Sequence, residues 1–199
     1  LISDVLIHQN TSAYGGGMHF ENYSSPTLKN VIITENYSTD TGGGLYGSSI
    51  RNSLMSNVLI ANNTATNRGG GLVLGGLCKT TMTNVTITGN TADNVGGGVH
   101  LWGGSKATMI NSVIWDNSPQ EIYLSVGPWD TGTDTISVYY SDIEGDLSDI
   151  VTTSYSTVIW GNGNVDIDPL FVDTANGDYH LSDLSPAISA GTDSVQIDG

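Results

Sequence analysis

Apolar residues alternate with polar ones along this chain at every second position, but only over short stretches, and the stretches recur. A period of two over four or five residues is the pattern of a half-buried strand, not of a helix. Within one unit such stretches fall at 44–48, 54–57 and 58–61. Gly-Gly-Gly triplets at 15–17, 42–44, 69–71 and 96–98 mark the units, always 27 residues apart. Other positions keep the same spacing, except that the first, partial unit is one residue shorter. Leu28, Met55, Met82 and Met109 form one column. Ile7, Ile33, Ile60, Ile87 and Ile114 form a second, and Val5, Val31, Val58 and Val85 a third. Two columns are amides. One runs Asp4, Asn30, Asn57, Asn84, Asn111, and the other Asn10, Asn36, Asn63, Asn90, Asn117.

Self-similarity at a fixed period of this size signals a solenoid, propeller or array. A propeller blade needs four strands and about 40 residues, and a leucine-rich repeat needs a leucine scaffold. Three short strands in 27 residues predict one coil of an all-β, right-handed, single-stranded parallel β-helix. Identical residues would then stack about 4.8 Å apart. The aliphatic columns would fill the interior, the glycines would turn a corner at positive φ, and the amides would bond from coil to coil. The register is regular over 1–122. Residues 123–199 are expected to continue the same β-helix as irregular coils after a Gly-, Pro- and Asp-rich loop at 127–134, for six or seven coils in all.

Two groups of motifs resemble known families. Gly43-Gly44-Leu45 with Ile60-Ala61-Asn62-Asn63, and their copies, resemble the repeats of polymorphic outer-membrane proteins. In the tail, the runs 164–173 and 176–181 and Ser185-Pro186-Ala187-Ile188-Ser189-Ala190-Gly191 look like the C-terminal β-helix segment of choice-of-anchor proteins. The resemblance implies a secreted or cell-surface bacterial protein in the pectate-lyase-like superfamily. It does not imply one activity, because that fold carries lyases, hydrolases, epimerases, adhesins and scaffolds. The chain opens in mid-repeat, so it reads as a piece of a larger protein whose coil ends meet further coils or neighbouring copies.

Charge narrows the partners. The chain has five Lys+Arg against twenty Asp+Glu and a net charge of −15. Nucleic acid needs clustered cations, and none exist here. No apolar run approaches the length of a membrane-inserting segment. The acidity is uneven: residues 1–122 hold all five cations and seven acids, whereas 123–199 hold thirteen acids and no cation.

Catalytic chemistry is not written in the columns. A glycosidase needs two carboxylates facing one cleft, yet the acids of the repeat section fall mostly in different columns. Glu35 and Asp116 share one, three coils apart. Lysines, arginines and histidines are equally scattered, so no catalytic residue is assigned and the expected role is adhesion, scaffolding or surface assembly. The alternative is a polysaccharide-binding or polysaccharide-active protein. His19, Tyr46 and His100 share an outward column, with Trp102 and Trp115 nearby, and aromatic faces beside polar groups suit sugar rings. No cofactor is required by the pattern. Asp166, Asp168, Asp173 and Asp178 could hold Ca²⁺, which takes six to eight oxygens. A further outward column, Leu6, Ile32, Leu59, Thr86 and Val113, reads as a contact surface or as a face covered by the tail. Cys78 reads as a loop thiol, and Trp129, Trp160, Tyr139, Tyr140 and Phe171 as packing of the last coils.

Overall fold

The computed structural model describes residues 1–125 and 132–195. They form a parallel β-solenoid with three faces. Seven strands stack on the longest face, from Ile2–His8 through Thr27–Thr34, Ser53–Ala61 and Lys79–Thr88 to Ser156–Trp160. Six stack on the face after the glycine corner, from Met18–Phe20 to Ile150–Thr152. Four make the third face, which shrinks to the pairs Thr64–Ala65 and Thr91–Ala92. Register advances by 27 residues per level through the central coils, as in Leu28↔Met55 and Met55↔Met82. Trp129 lies outside the described residues.

The interior is what the columns dictate. Ile33, Ile60, Ile87 and Ile114 are fully buried, as are Leu28, Met82 and Met109. Val138 and the partly buried Trp160 continue the Leu–Met column into the last two coils. Each triplet's first glycine takes positive φ, 75° at Gly42 for example. The second is required by crowding, because a Cβ on Gly43 would collide with the carbonyl oxygens of Gly70 and Thr64.

The structure redraws the expected strand boundaries. The stretches 54–57 and 58–61 are halves of one strand, Ser53–Ala61, bent at Asn57 with φ 53°. An asparagine tolerates the left-handed region, so the chain turns there and pairing resumes at Val58. The third face begins only at Thr64. Cys78 lies in the loop between Leu72–Gly75 and Lys79–Thr88, as expected, but it is buried, and its Sγ contacts the Gly75 carbonyl at 3.0 Å.

Three amide ladders run along the coils, and each ends on a carboxylate. In the buried one, the Nδ2 of Asn10, Asn36, Asn63 and Asn90 each donates to the Oδ1 of the next asparagine at 2.9–3.0 Å. Asn117 closes the series on Glu121 Oε2 at 2.6 Å. The exposed ladder runs the other way, from Asn84 through Asn57 and Asn30 to Asp4. A third passes from Asn94 through Asn67 to Asp40. A carboxyl oxygen suits the accepting last place, and at Asp4 and Asp40, whose carboxyls the ladder bonds hold low, the charge strengthens the final bond.

Pairing with the preceding coil lasts to Val165, and beyond it the chain leaves the stack instead of continuing as irregular coils. The strands Phe171–Asp173 and Asp178–Leu181 pair as an antiparallel hairpin, with Phe171 edge-on to Tyr179. The hairpin straps the outer side of the long face. Tyr179 Oη accepts from Asn62 Nδ2 at 2.7 Å, and Asn111 exchanges two hydrogen bonds with the backbone of Thr192. Part of the outer aliphatic column is therefore tail-covered. Ile32, Leu59 and Thr86 line a cavity of about 380 Å³ with Tyr179 and His180, while Leu6 stays open to solvent.

Candidate functional site

The glycine corner sets one column of side chains outward across successive coils. His19, Tyr46, Val73, His100 and Tyr123 are paired in register there. His19 and Tyr46 meet edge-on with centroids 5.0 Å apart, and Tyr14, from the strand before the corner, closes on Tyr46 at 5.6 Å. The Trp102 ring lies over Gly75, at a level where any side chain would collide with the indole. Tyr14, Asp40, Tyr46, Asn67, Arg68 and Trp102 together line a cavity of about 170 Å³. Arg68 and Asn67 also line the next one, about 330 Å³, with Asn94, His100, Tyr123 and Ser125. The two cavities form a cleft that crosses the coils with Arg68 at the join.

The polar groups of this cleft are held in place. Asp40 accepts from Asn67 Nδ2 at 2.8 Å and from Thr41 Oγ1 at 3.1 Å. Those bonds, the one from Asn67 first, hold its carboxyl below the usual range. The bond of Tyr14 to Asp40 pushes the Tyr14 phenol up. Arg68 is exposed, and among the described residues no carboxylate stands within ion-pair distance of it. It therefore offers its donors to solvent or ligand.

The five residues expected to bind sugar are not one group. His19, Tyr46 and Trp102 flank the cleft. His100 is 1% exposed, with Nε2 2.8 Å from Ser125 Oγ. Trp115 belongs to the long face, where it lines a separate cavity with Asp116, Asp168 and Phe171. Tyr14, Asp40, Asn67 and Arg68 escaped the sequence reading. Tyr14, Thr41, Arg68 and Val95 keep the 27-residue spacing but share no chemistry, so that column did not look like one, and the column of Asp40, Asn67 and Asn94 is only three residues long.

The four expected calcium ligands are also dispersed. Asp168 Oδ1 accepts from the Leu170 N–H, Asp173 from Asn176, and Asp178 from the backbone and ring of His180. Such bonds shape local turns. Among the described residues no three His, Cys, Asp or Glu side chains stand as a ready metal-holding group.

Two contacts have catalytic spacing, and both are buried. His100 with Ser125 has the spacing of a base and a nucleophile. Yet His100 is buried, its Nδ1 has no hydrogen-bond partner, and burial first, then the charge of Arg68, lowers its pKa to about 3. Burial therefore weakens it as a base for an attacking hydroxyl. Glu121 is held against Glu144, but it too is 1% exposed, and both its oxygens accept from Asn117. Burial raises its carboxyl well above the usual range, and no substrate can reach it.

The sequence pattern of one family, described as the right handed beta helix region, matches residues 50–164. No curated protein and no solved structure matches the chain. No helix of the described residues is long and apolar enough to cross a membrane.

Proposed function

The chain belongs to the right-handed β-helix family, and on that premise we propose that it is a non-catalytic module of a secreted or cell-surface bacterial protein. Its work is adhesion or scaffolding, and its cleft holds an extended polysaccharide across the coils. The observation that carries the reading is the cleft itself. Tyr14, Tyr46 and Trp102 supply ring faces, and Asn67, Asn94 and Arg68 supply convergent hydrogen-bonding groups. A rigid surface with apolar faces and a few placed polar groups is what a sugar chain needs, because its rings are apolar on their faces and polar at their edges. The titratable groups fit binding better than turnover. Asp40 is tied up in a ladder, and His100 is neutral and buried. The placement outside the cell is supported by the tail's resemblance to choice-of-anchor segments.

The test is titration of pectin, alginate and glycosaminoglycan oligosaccharides into the whole chain by calorimetry. Tyr46→Ala and Trp102→Ala are each expected to weaken binding about tenfold, the loss of one stacked ring. Trp115→Ala, on another face, is expected to leave it unchanged. Cleavage of any of these polymers, or equal binding by all three variants, would remove this reading.

A further inference from the structure

We propose that Asp142 anchors a calcium site, with Asp166 and Asp168 as its other side-chain ligands, where the tail departs from the coils. The inference stands on its own observations and does not depend on the glycan cleft. Asp142 lies on the long face, beside Val113 of the preceding coil. Its backbone N–H donates to Ser112, and the neighbouring N–H of Ile143 donates to Val165. The residue is 3% exposed. Its Oδ1 accepts from the Ile167 N–H at 3.1 Å, which turns the carboxyl toward the segment 166–168. Its Oδ2 is buried with no hydrogen-bond partner.

A buried carboxylate oxygen without a donor is costly, and native structures leave few of them. Here the cost is compounded. Asp166 and Asp168 flank the N–H that Asp142 grips, and both add negative field at its carboxyl. No lysine or arginine exists in 123–199, and the charged groups acting on the Asp142 carboxyl are Asp166 and Asp168; a cation from solution would answer all three. Oxygen donors select a hard cation. Calcium accepts six to eight oxygens in irregular geometry, including backbone carbonyls, whereas magnesium demands a near-ideal octahedron and gives up its water reluctantly. Asp166 and Asp168 are exposed; Asp166 is free to turn inward, and Asp168 would offer its Oδ2 while Oδ1 keeps the Leu170 N–H. Asp173 and Asp178 take no part, since both are engaged in the hairpin by Asn176 and His180. Binding would fasten the root of the strap to the last coils.

The experiment is calorimetric titration of CaCl₂ into the whole, chelator-stripped chain, with the melting temperature followed in parallel. Wild type is expected to bind one Ca²⁺ saturably and to melt at a higher temperature when loaded. Asp142→Asn is expected to lose at least about tenfold in affinity, and Asp173→Asn with Asp178→Asn to lose nothing. If Asp142→Asn does not fold, the exposed pair Asp166→Asn with Asp168→Asn must show the same loss. Absence of saturable binding in wild type overturns the proposal. So does undiminished binding in the variants, which would mark a diffuse ion atmosphere around the acidic tail.

Discussion

Asn90→Ala is expected to destabilise the chain by about 3–6 kcal/mol, because it cuts the buried ladder in the middle. Asn90 Oδ1 accepts from both the backbone N–H and the Nδ2 of Asn63, and its Nδ2 donates to Ile60 O, Thr88 O and Asn117 Oδ1. Alanine leaves the Asn63 N–H without a partner, and the Ile60 carbonyl and Asn117 Oδ1 lose a donor. Each buried polar group left unsatisfied costs about 1–3 kcal/mol, and Asn63 and Asn90 are both fully buried. The exposed ladder supplies the control. Asn57 makes the same kind of contacts to Asn30 and Asn84 in solvent, where water replaces the lost partner, so Asn57→Ala is expected to cost under about 1 kcal/mol in side-chain bonding. Urea denaturation of the two variants beside wild type measures both, after about 1–2 kcal/mol is set aside for alanine at the left-handed φ of Asn57. Equal losses would mean that the ladder's burial does not matter.

That contrast bears on what a sequence can disclose. Both asparagine columns are visible at 27-residue spacing, and the aliphatic columns between them define the core. Which ladder is buried is not visible, because spacing is identical in the two. The third face was hidden for a different reason: two residues, Thr64–Ala65 or Thr91–Ala92, cannot display a period. The strap was hidden by distance along the chain. Tyr179 reaches Asn62 across 117 residues, and Thr192 reaches Asn111 across 81. Neither pair repeats, so no periodicity announces it. In the cleft, the ring column was legible at His19 and Tyr46. His100 was expected on the same open surface, yet it is buried, because register fixes which way a residue points and not what covers it.

The ladders also explain where the repeat section keeps its few acids. Asp4 and Asp40 occupy the asparagine columns of Asn30 and Asn67, each at the accepting end. Glu121 takes the accepting end of the buried ladder four residues after Asn117. An acid in mid-ladder would stop it, since its carboxylate has no proton to pass on. An Asp at the head of an asparagine column is therefore a readable mark of where coil-to-coil bonding ends. These carboxylates are committed to neighbouring amides, so Asp40, the one that lines the cleft, stands there without a second carboxylate.

Acidification is expected to remove roughly 4 kcal/mol of stability between pH 7 and pH 3 through His100 alone. The folded chain lowers this imidazole from its ordinary value of 6.5 to about 3, chiefly because burial opposes the charged form and secondarily because Arg68 is near. The unfolded chain therefore binds the proton first. Stability from this group is complete above pH 6.5 and drains away as pH falls toward 3. Glu121 works in the opposite sense. Burial raises its carboxyl far above the ordinary 4.5, so the folded chain binds this proton more tightly, and its contribution is complete below pH 4.5 and lost as pH rises through the neutral range. The two slopes partly cancel in wild type and separate in variants. In His100→Leu the stability difference between pH 7 and pH 3 should move by about 4 kcal/mol in favour of acid. In Glu121→Gln the decline toward alkaline pH should flatten, while the loss below pH 6.5 attributable to His100 remains. Denaturation curves at several pH values resolve both, and a His100→Leu profile parallel to wild type would show that the buried ring is not the group that titrates.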